Sequence, residues 1–368
     1  MALDTPDMIG DVPAVAVWGD RITRRRQYFA LYAPDGTAYP HSGFHAAHYR
    51  SAPQRQPDLS DVTGYLDGPV LFAGLAPGPF GQVLLNSIGR LWALDRLPPE
   101  TRLLFVTDGW ALPKNYPFLR NVLRLFGVTN EIVVSRESIR LDRAHLAEDR
   151  FGEALEGRGT PAFYDWVDRK LPPKGAVDPD RAVYVTRSRL GPDVGRYACE
   201  AHLERLLAAQ GYRIFAPERH DLATQAEVYQ RAGRLIFAEG AALHLYGLLA
   251  RPGQTVAAIR RQNVFSPLVA AQMADRGATG FAAIDAIREI LWPPKPGDHH
   301  ALSVLNFPKL QRKLQDLGLI PTGTRWDDPD ADALRHSLQA GLGRGEELLD
   351  PDRRARFLPD RRARKAQG

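Results

Sequence analysis

The sequence predicts an α/β protein with parallel sheets, and three observations lead to this class. Short apolar runs of strand length alternate with longer amphipathic segments that have helical spacing. Glycines and other small residues follow several of the apolar runs, as they do in strand-to-helix turns. The alternation occurs twice, in two runs separated by the polar, proline-rich segment Leu171–Asp180. A helix between two strands allows the strands to lie parallel in one sheet, joined by a right-handed crossover. Each run is therefore expected to form a parallel sheet.

The composition is that of a globular protein, and it excludes two kinds of site. The chain has 368 residues, of which 44% are hydrophobic and 25% charged, so it suits two or three domains. Its single cysteine, Cys199, rules out a disulfide framework and a cysteine-rich zinc site and fits a reducing compartment. The N-terminus lacks a signal-peptide pattern, and no uncharged apolar stretch of membrane-spanning length occurs. These features indicate a cytoplasmic protein.

The net charge of +5 favours an anionic partner, and the tail that begins at Asp350 is dense in arginine. A solvated tail is the plainest interpretation. The alternative is that the tail contacts an anionic membrane, which would place the protein peripherally at the inner face of that membrane. Nucleic acid is not expected as a partner, because no aromatic stacking platform or reading helix accompanies the charge.

An N-terminal β-rich extension is predicted over residues 1–60, and the first α/β run over residues 61–175. The extension has strand patterns at Val12–Val17 and Gln27–Tyr32. The run is predicted to contain strand Val70–Ala73, helix Gln82–Leu94, strand Leu103–Val106, helix Pro117–Phe126 and strand Glu131–Val134. A glycine-rich loop, Gly74–Gly81, joins the first strand to the first helix. Its glycine spacing is not that of the dinucleotide-binding fingerprint.

The second α/β run is predicted over residues 176–320 and has the clearer alternation. The predicted strands are Ala182–Thr186, Tyr212–Ala216, Leu235–Ala238 and Thr255–Ile259. Helices are predicted at Gly195–Gln210, Leu222–Ala232, His244–Leu249, Ala282–Leu291 and Phe307–Leu317. Residues 321–368 are expected to form a C-terminal helix, Asp330–Leu349, followed by the basic tail.

The stretch Arg234–Ala250 combines an apolar strand, a turn of small residues and the start of a helix. Gly240, Ala241 and Ala242 have little or no side chain, so a phosphate could approach their backbone. The first N–H groups of a helix are unpaired, and the helix dipole favours negative charge there. The turn is therefore a candidate phosphate site, and an ordinary turn packed with small residues is the alternative. His244, one turn into the helix, is either a phosphate contact or a core histidine.

Charged residues follow several of the predicted parallel strands. Arg187, Glu218 and Glu239 each come just after a strand of the second run, and Arg260 with Arg261 ends the next strand. Because ligands of open α/β sheets bind beyond the carboxyl ends of the strands, we expect these side chains to share one rim. Guanidinium groups, carboxylates and a helix N-terminus together suggest a polar ligand that carries phosphate. A structural salt bridge between Arg187 and one of the glutamates is the alternative.

Three histidines at helical spacing, His41, His45 and His48, raise the question of a metal site. Gly43 and the neighbouring prolines disfavour a rigid helix, and no carboxylates are placed to support the imidazole rings. We therefore expect neither a metal site nor a bound cofactor.

The order and spacing of these motifs resemble glycosyltransferase family 61, which contains bacterial capsular and exopolysaccharide enzymes. The second run carries most of the resemblance, in Tyr184-Val185-Thr186-Arg187, Arg196 with Glu200, Gly211-Tyr212, Gln225 with Ala232, and Gly240-Ala241-Ala242-Leu243. The first run adds a similarity at Phe80–Asn86 and Gly89-Arg90-Leu91. The chain departs from the family pattern at three positions: Gln82 replaces a common His, Asn86 a common Asp, and Glu239 a common His.

The resemblance implies a GT-B-like architecture, in which two Rossmann-like domains with parallel sheets face each other across a cleft. It also implies transfer of a sugar from a nucleotide-activated donor to a hydroxyl of a glycan or glycolipid. Inversion, no essential metal, and a role in bacterial surface or capsular polysaccharide synthesis are part of this expectation. The donor is expected on the C-terminal domain, near Arg187, Arg196 and Gly240–Leu243. The acceptor is expected on the N-terminal domain, near a set of three residues, Gly78, Gln82 and Asn86.

In such a transfer the leaving nucleoside diphosphate gains negative charge, which a guanidinium group and a helix N-terminus can stabilise. Arg187 is the first choice for the guanidinium, with Arg196 or Arg260 second. The backbone N–H groups of Ala241 and Ala242 are the other element.

An inverting transfer also needs a base that takes the proton of the acceptor hydroxyl. Glu239 is the best-placed carboxylate, and Asp108, after a strand of the first run, is the alternative. Glu239 would otherwise bind a hydroxyl of the donor. Since Gln82 and Asn86 lack ionisable groups, a noncatalytic nucleotide- or sugar-binding relative is a second functional class. A basic-tailed protein that acts at a membrane surface is a third.

Overall fold

The computed structural model describes residues 10–18, 28–39, 42, 44–45, 62, 64–107, 116–135, 138–191, 194–278, 280–295 and 297–357. The chain divides into two compact units. The first unit contains the chain up to Pro172 together with two later segments, Gly247–Leu249 and Pro267–Asp275. The second unit contains Pro173–Tyr246, Ala250–Ser266 and the chain from Arg276 onward. Strands and helices occur in both units, so the chain is a mixed α/β protein, as the alternating patterns predict.

The first unit contains a seven-stranded mixed sheet. Its strands are β1 Gly10–Trp18, β2 Tyr28–Tyr32, β3 Phe44–His45, β4 Gly64–Leu75, β5 Arg102–Val106, β6 Ile132–Ser135 and β7 Ile139–Leu146. Their order across the sheet is β3-β2-β1-β7-β4-β5-β6. Strand β4 is parallel to β5 and β7, and β5 is parallel to β6, whereas β1 is antiparallel to β2 and β7. The sheet is therefore parallel only over the strands that come after residue 61.

Three helices follow the strands of this unit, α1 Phe80–Asn86, α2 Pro117–Leu125 and α3 Pro161–Lys170. The predicted helix Gln82–Leu94 is wrong in its length, because α1 ends at Asn86 and a separate 3₁₀ turn covers Leu91–Asp95. The Ser87 hydroxyl donates to the carbonyl oxygen of Leu75 at 2.5 Å. This tertiary hydrogen bond ties the C-terminal end of α1 to the end of β4.

The second unit contains a five-stranded sheet that is parallel throughout. Its strands are β8 Asp178–Val185, β10 Arg213–Phe215, β11 Ala232–Ala238, β12 Thr255–Ile259 and β13 Phe281–Ile284. Their order is β10-β8-β11-β12-β13, so β8, β11 and β12 lie in the interior. Strand β8 begins within the proline-rich segment Leu171–Asp180 that separates the two predicted runs. The four predicted strands of the second run are all present, with ends that differ by a few residues.

A small three-stranded sheet interrupts the predicted helix Gly195–Gln210. Strand β9, Arg196–Tyr197, is parallel to β15, Leu302–Leu305, which is antiparallel to β14, Ile287–Leu291. Helix α4 begins only at Glu200 and ends at Ala208. Between strand and helix, Cys199 has a φ of 57°, a left-handed conformation that breaks any continuous helix. The sequence pattern misses β9 because its hydrogen-bonding partner is distant along the chain.

The remaining helices are α5 Leu222–Arg231, α6 Ala242–Leu249, α7 Pro267–Asp275, α8 Phe307–Asp316 and α9 Ala331–Gln339. Helix α7 belongs to the first unit. In the second unit, Leu203 and Leu207 of α4 and Leu310 and Leu314 of α8 pack in one apolar cluster with sheet residues such as Ile236. This cluster covers one face of the parallel sheet with helices, as α/β folds require.

The predicted helix Ala282–Leu291 is wrong, because this segment forms β13 and β14. The apolar residues of FAAIDAIREIL recur at helical spacing. However, β13 pairs in parallel with β12, with Phe281 opposite Val256 and Ile284 opposite Ile259. Hydrogen bonding to an existing sheet edge outweighs the local helical pattern.

The C-terminal helix is shorter than the predicted Asp330–Leu349, because α9 ends at Gln339 and Gly341 has a φ of 83°. Residues 351–357, in the first part of the basic tail, are helical. The Arg354 side chain is buried, and its Nη1 donates to the carbonyl oxygen of Lys295 at 2.6 Å. The start of the tail is therefore anchored to the second unit through Arg354, while residues 351–353 and 355–356 are exposed. Residues 358–368 lie outside the described part of the chain.

None of the described helices has both the length and the apolar character needed to cross a bilayer.

Candidate functional site

Four of the candidate residues follow neighbouring parallel strands of the second unit. Across the sheet, Glu218 follows β10, Arg187 follows β8, Glu239 follows β11 and Arg260 follows β12. Because these strands are parallel, the sheet order places the four residues along one edge, at the carboxyl ends of the strands. The charged rim expected from the sequence therefore has a topological basis.

Arg187 is held at its backbone and at its guanidinium group. Its backbone N–H donates to Glu200 Oε1 at 2.8 Å, and its Nη2 donates to the carbonyl oxygen of Gly195 at 3.1 Å. The guanidinium group also lies directly against Gly240, where an added Cβ would come within 2.2 Å of Nη1. A glycine at position 240 is thus required for this position of the arginine. Arg187 and the turn Gly240–Ala242, identified separately in the sequence, are in contact.

Arg261 is a second arginine of the site, although its neighbour Arg260 was the arginine expected from the sequence. Its side chain is buried, with 9% of its surface exposed. An added Cβ on Gly195 would lie 2.0 Å from Arg261 Nη1, so this guanidinium group also packs against a glycine. Burial lowers the pKa of Arg261, and the positive charge of Arg187 lowers it further. The adjacent Arg260-Arg261 pair alone gives no signal of which arginine turns inward.

The two guanidinium groups repel each other and have unsatisfied donors. Within the described part of the chain, Arg187 Nε and Arg261 Nε and Nη1 are buried without a hydrogen-bond partner. A buried donor that lacks an acceptor costs about 1–3 kcal/mol, and more when the group is charged. An anion beside both arginines would remove the repulsion and supply the missing acceptors. This arrangement can therefore bind an anion.

Glu239 connects the ends of β11 and β12. Its Oε2 accepts the backbone N–H of Arg261 at 2.5 Å and that of Gln262 at 3.3 Å. Its own N–H donates to the carbonyl oxygen of Ile259 and to the hydroxyl oxygen of Tyr197, each at 3.1 Å. Glu239 therefore fixes the turn that carries Arg261, a role that the sequence does not indicate.

The start of α6 presents backbone donors beside Arg187. The first N–H groups that bond within this turn are those of Leu243, to the carbonyl of Gly240, and His244, to that of Ala241, each at 3.1 Å. The N–H groups of Ala241 and Ala242 precede them, and they lie at the positive end of the helix dipole. His244 is half-buried one turn into the helix.

Arg196 is not part of this group of residues. Its Nη2 donates to the carbonyl oxygens of Ser337 and Ala340, so it binds the C-terminal end of α9. It lines a separate small cavity with Lys295 and His300. Its placement follows from strand β9, which directs the side chain of Arg196 differently from the predicted helix.

The two other candidates at this edge of the sheet are Glu218 and Arg260. Glu218 lies in the 3₁₀ turn Pro217–Arg219, beyond the edge strand β10. Arg260 is half-buried, and its backbone N–H donates to the carbonyl oxygen of Ile284 at 2.8 Å. Glu218 flanks the Arg187 and Arg261 pair in the order of the strands, whereas Arg260 follows the same strand as Arg261.

The acceptor-side candidates lie in the first unit. Gly78 and Gln82 are exposed, and the Asn86 side chain donates to the carbonyl oxygen of Gln82 at 3.1 Å. All three lie in the loop that follows β4 or in helix α1. The other catalytic candidate of this unit, Asp108, lies outside the described residues.

The three histidines considered for a metal site fall mostly outside the part of the chain that the structure describes. His41 and His48 lie outside the described residues, and for His45 only the backbone is described. Among the described residues, no three His, Cys, Asp or Glu side chains are grouped closely enough to hold a metal ion.

Comparison with known proteins identifies the family. A comparison with curated proteins finds no match. The family described as Glycosyltransferase 61 matches residues 32–257, which is more than half of the 368-residue chain. The matched range includes Arg187, Glu200, Glu239 and Gly240 and thus most of the site. The chain therefore belongs to glycosyltransferase family 61.

Proposed function

We propose that the protein transfers a sugar from a nucleotide-activated donor to a hydroxyl group of a glycan or glycolipid. Family membership supports glycosyl transfer as the reaction. The observation that supports this kind of donor is the pair Arg187 and Arg261, whose buried and unsatisfied nitrogens match the oxygens of a diphosphate. The N–H groups of Ala241 and Ala242 would bind further phosphate oxygens.

The same groups would assist the reaction. When the bond between the sugar and the donor phosphate breaks, negative charge develops on the leaving diphosphate. Two guanidinium groups and a helix N-terminus, fixed before the reaction, stabilise this charge without reorganising. The proposed chemistry needs Arg187 and Arg261 to stay in place, which Gly240, Gly195 and Glu239 ensure by their contacts.

Glu239 is our candidate for the base that takes the proton of the acceptor hydroxyl in an inverting transfer. One of its carboxylate oxygens, Oε2, is engaged by the N–H groups of Arg261 and Gln262. Its second oxygen, Oε1, is therefore the one that we propose to receive the proton. Asp108 of the first unit is the alternative base.

The finer parts of the proposal rest on the family resemblance. We propose a GT-B-like arrangement with donor binding on the second unit and acceptor binding on the first, near Gly78, Gln82 and Asn86. A role in bacterial surface or capsular polysaccharide synthesis, without an essential metal or cofactor, belongs to the same proposal. We also propose a cytoplasmic location, which the single cysteine supports, and a peripheral contact of the C-terminal tail with an anionic membrane, which the arginine residues of the tail support.

The first experiment is a thermal-shift panel of nucleotide sugars and nucleoside diphosphates on the wild type and on Arg187→Ala. At least one ligand is expected to raise the unfolding temperature of the wild type, because ligands that bind only the folded state stabilise it. The same ligand is expected to have little effect on Arg187→Ala. If no nucleotide stabilises the wild type, the donor site is refuted. Stabilisation without sugar transfer or donor hydrolysis would instead support a noncatalytic relative.

A further inference from the structure

The turn that carries Arg187 is bound by two buried carboxylates of helix α4, Glu200 and Glu204, which are 4% and 8% exposed. They are one helical turn apart and face the same strand end. The hydroxyl oxygen of Thr186 lies between them, 2.9 Å from Glu200 Oε1 and 2.7 Å from Glu204 Oε1. The two carboxylates therefore hold the same turn.

Their remaining contacts differ. Glu200 Oε1 also accepts the Tyr184 hydroxyl at 2.9 Å and the backbone N–H of Arg187 at 2.8 Å. Glu204 instead accepts the Ser188 hydroxyl, and its Oε2 lies 3.6 Å from the exposed guanidinium group of Arg189. Of the two carboxylates, Glu200 is thus the one that binds the residue of the anion site.

Glu200 also acts through its charge. Burial raises the pKa of its carboxyl, while the hydrogen bonds that it accepts and the positive charge of Arg187 oppose this rise. The negative charge of Glu200 raises the pKa of Arg261, so it partly offsets the repulsion between the two arginines. Glu200 is therefore placed to influence both guanidinium groups from behind the strand ends.

We propose that Glu200 is a positioning residue of the donor site, which fixes the backbone of Arg187 so that its guanidinium group lies between Gly240 and Gly195. This proposal rests on the proposed function. Glu200 would act on ligand affinity through Arg187 without contacting the ligand. Glu204 binds the same turn at Thr186 and Ser188. It would therefore contribute to the stability of the protein and not to ligand affinity.

The test measures binding of inorganic pyrophosphate by calorimetry, and thermal unfolding, for the wild type and three variants. Glu200→Met has nearly the same volume but no oxygen to accept the Arg187 N–H, whereas Glu200→Gln keeps such an oxygen. Both variants remove the charge, so the difference between them reports the hydrogen bond. Glu204→Met is the matched control on the next turn of α4.

We expect Glu200→Met to bind pyrophosphate about tenfold more weakly than the wild type, the size of effect for one hydrogen bond. Glu200→Gln and Glu204→Met are expected to stay within about threefold of the wild type. Equal affinity losses in Glu200→Met and Glu204→Met would overturn the proposal. So would a tenfold loss in Glu200→Gln, which decides the question even if Glu200→Met does not fold.

The same measurements distinguish a failure of the proposed function from a failure of the role proposed for Glu200. If the wild type binds neither pyrophosphate nor any nucleoside diphosphate, the donor site is absent and the role of Glu200 falls with it. If the wild type binds and Glu200→Met binds equally well, only the role of Glu200 is refuted.

Discussion

At the scale of single residues, two glycines decide where the arginines of the site lie. Arg187 packs against Gly240 and Arg261 against Gly195, in both cases closer than a Cβ would allow. Neither glycine has a left-handed φ, so neither is required by its backbone conformation. A Cβ at position 195 would also lie 2.6 Å from the carbonyl oxygen of His299. For Gly240 the importance lies in space for the guanidinium group of Arg187 alone.

Gly240→Ala is expected to displace the guanidinium group of Arg187 while leaving the fold intact. Isothermal calorimetry should show about tenfold weaker binding of pyrophosphate, because a charge-assisted contact to phosphate is lost. Gly323→Ala is the matched control, since nothing lies within 4 Å of a Cβ at position 323. Unchanged affinity in Gly240→Ala would show that Arg187 does not bind the anion from this position.

Glu239→Gln tests the proposed base with little change of structure. A glutamine side-chain oxygen can still accept the N–H groups of Arg261 and Gln262, so the turn after β12 should persist. We expect the single-turnover rate of transfer to fall by about 10²–10⁴-fold, with donor affinity unchanged. A normal rate with weakened donor binding would instead assign Glu239 to a donor hydroxyl.

At the scale of elements, Gln254 connects helix α5, strand β11 and helix α6 of the second unit through hydrogen bonds. Its Nε2 donates to the carbonyl oxygens of Tyr229 and Ala232, each at 2.7 Å. Its Oε1 accepts the Tyr246 hydroxyl at 3.1 Å and the backbone N–H of Arg251 at 2.9 Å. One buried amide thereby links the end of α5, the start of β11 and helix α6.

Gln254→Ala is expected to lower the free energy of unfolding by about 2–4 kcal/mol, because several buried polar groups lose their partner. Gln254→Glu keeps the accepting oxygens but loses both donors, so its loss should also be substantial. Denaturant unfolding followed by circular dichroism measures both changes. A loss well below 1 kcal/mol for Gln254→Ala would mean that water replaces the amide at little cost.

At the scale of the whole molecule, the pH dependence of stability should carry a contribution from the carboxyl group of Asp149 in the first unit, whose Oδ1 is buried. Burial raises the pKa of Asp149 to about 6, although the positive charge of Arg90 and the N–H of Phe151 oppose this rise. In the unfolded chain an aspartate titrates near 3.8. Between these two values the folded state binds more protons than the unfolded state, so this contribution to stability falls as the pH rises.

Asp149→Asn should remove that contribution. We expect the unfolding temperature of the wild type, relative to that of Asp149→Asn, to decrease between about pH 4 and pH 6 and to level off above. The comparison between the two proteins cancels the titration of other carboxylates. Differential scanning calorimetry in buffers of equal ionic strength measures the difference. A difference that is constant over this range would contradict the raised pKa of Asp149.

Much of the second unit was predictable, because its strands are short apolar runs that local patterns identify well. Arg187, Glu239 and Gly240 could be selected together, since each follows a strand that the pattern predicts as parallel. Arg261 was harder to place. Its role depends on which side of a turn its guanidinium group occupies, and this leaves no periodic signal in the sequence.

The sequence by itself determined the alternation of strands and helices, the parallel sheet of the second unit, and the family. These follow from local periodicity and from short motifs whose order survives without knowledge of contacts. Only the tertiary structure decided that residues 282–291 form strands, that β9 interrupts a helix, and that Arg196 turns to the end of α9. It also decided that Arg261 joins Arg187. In each case the outcome depends on hydrogen bonds and packing between segments distant along the chain, and local sequence patterns carry no information about these contacts.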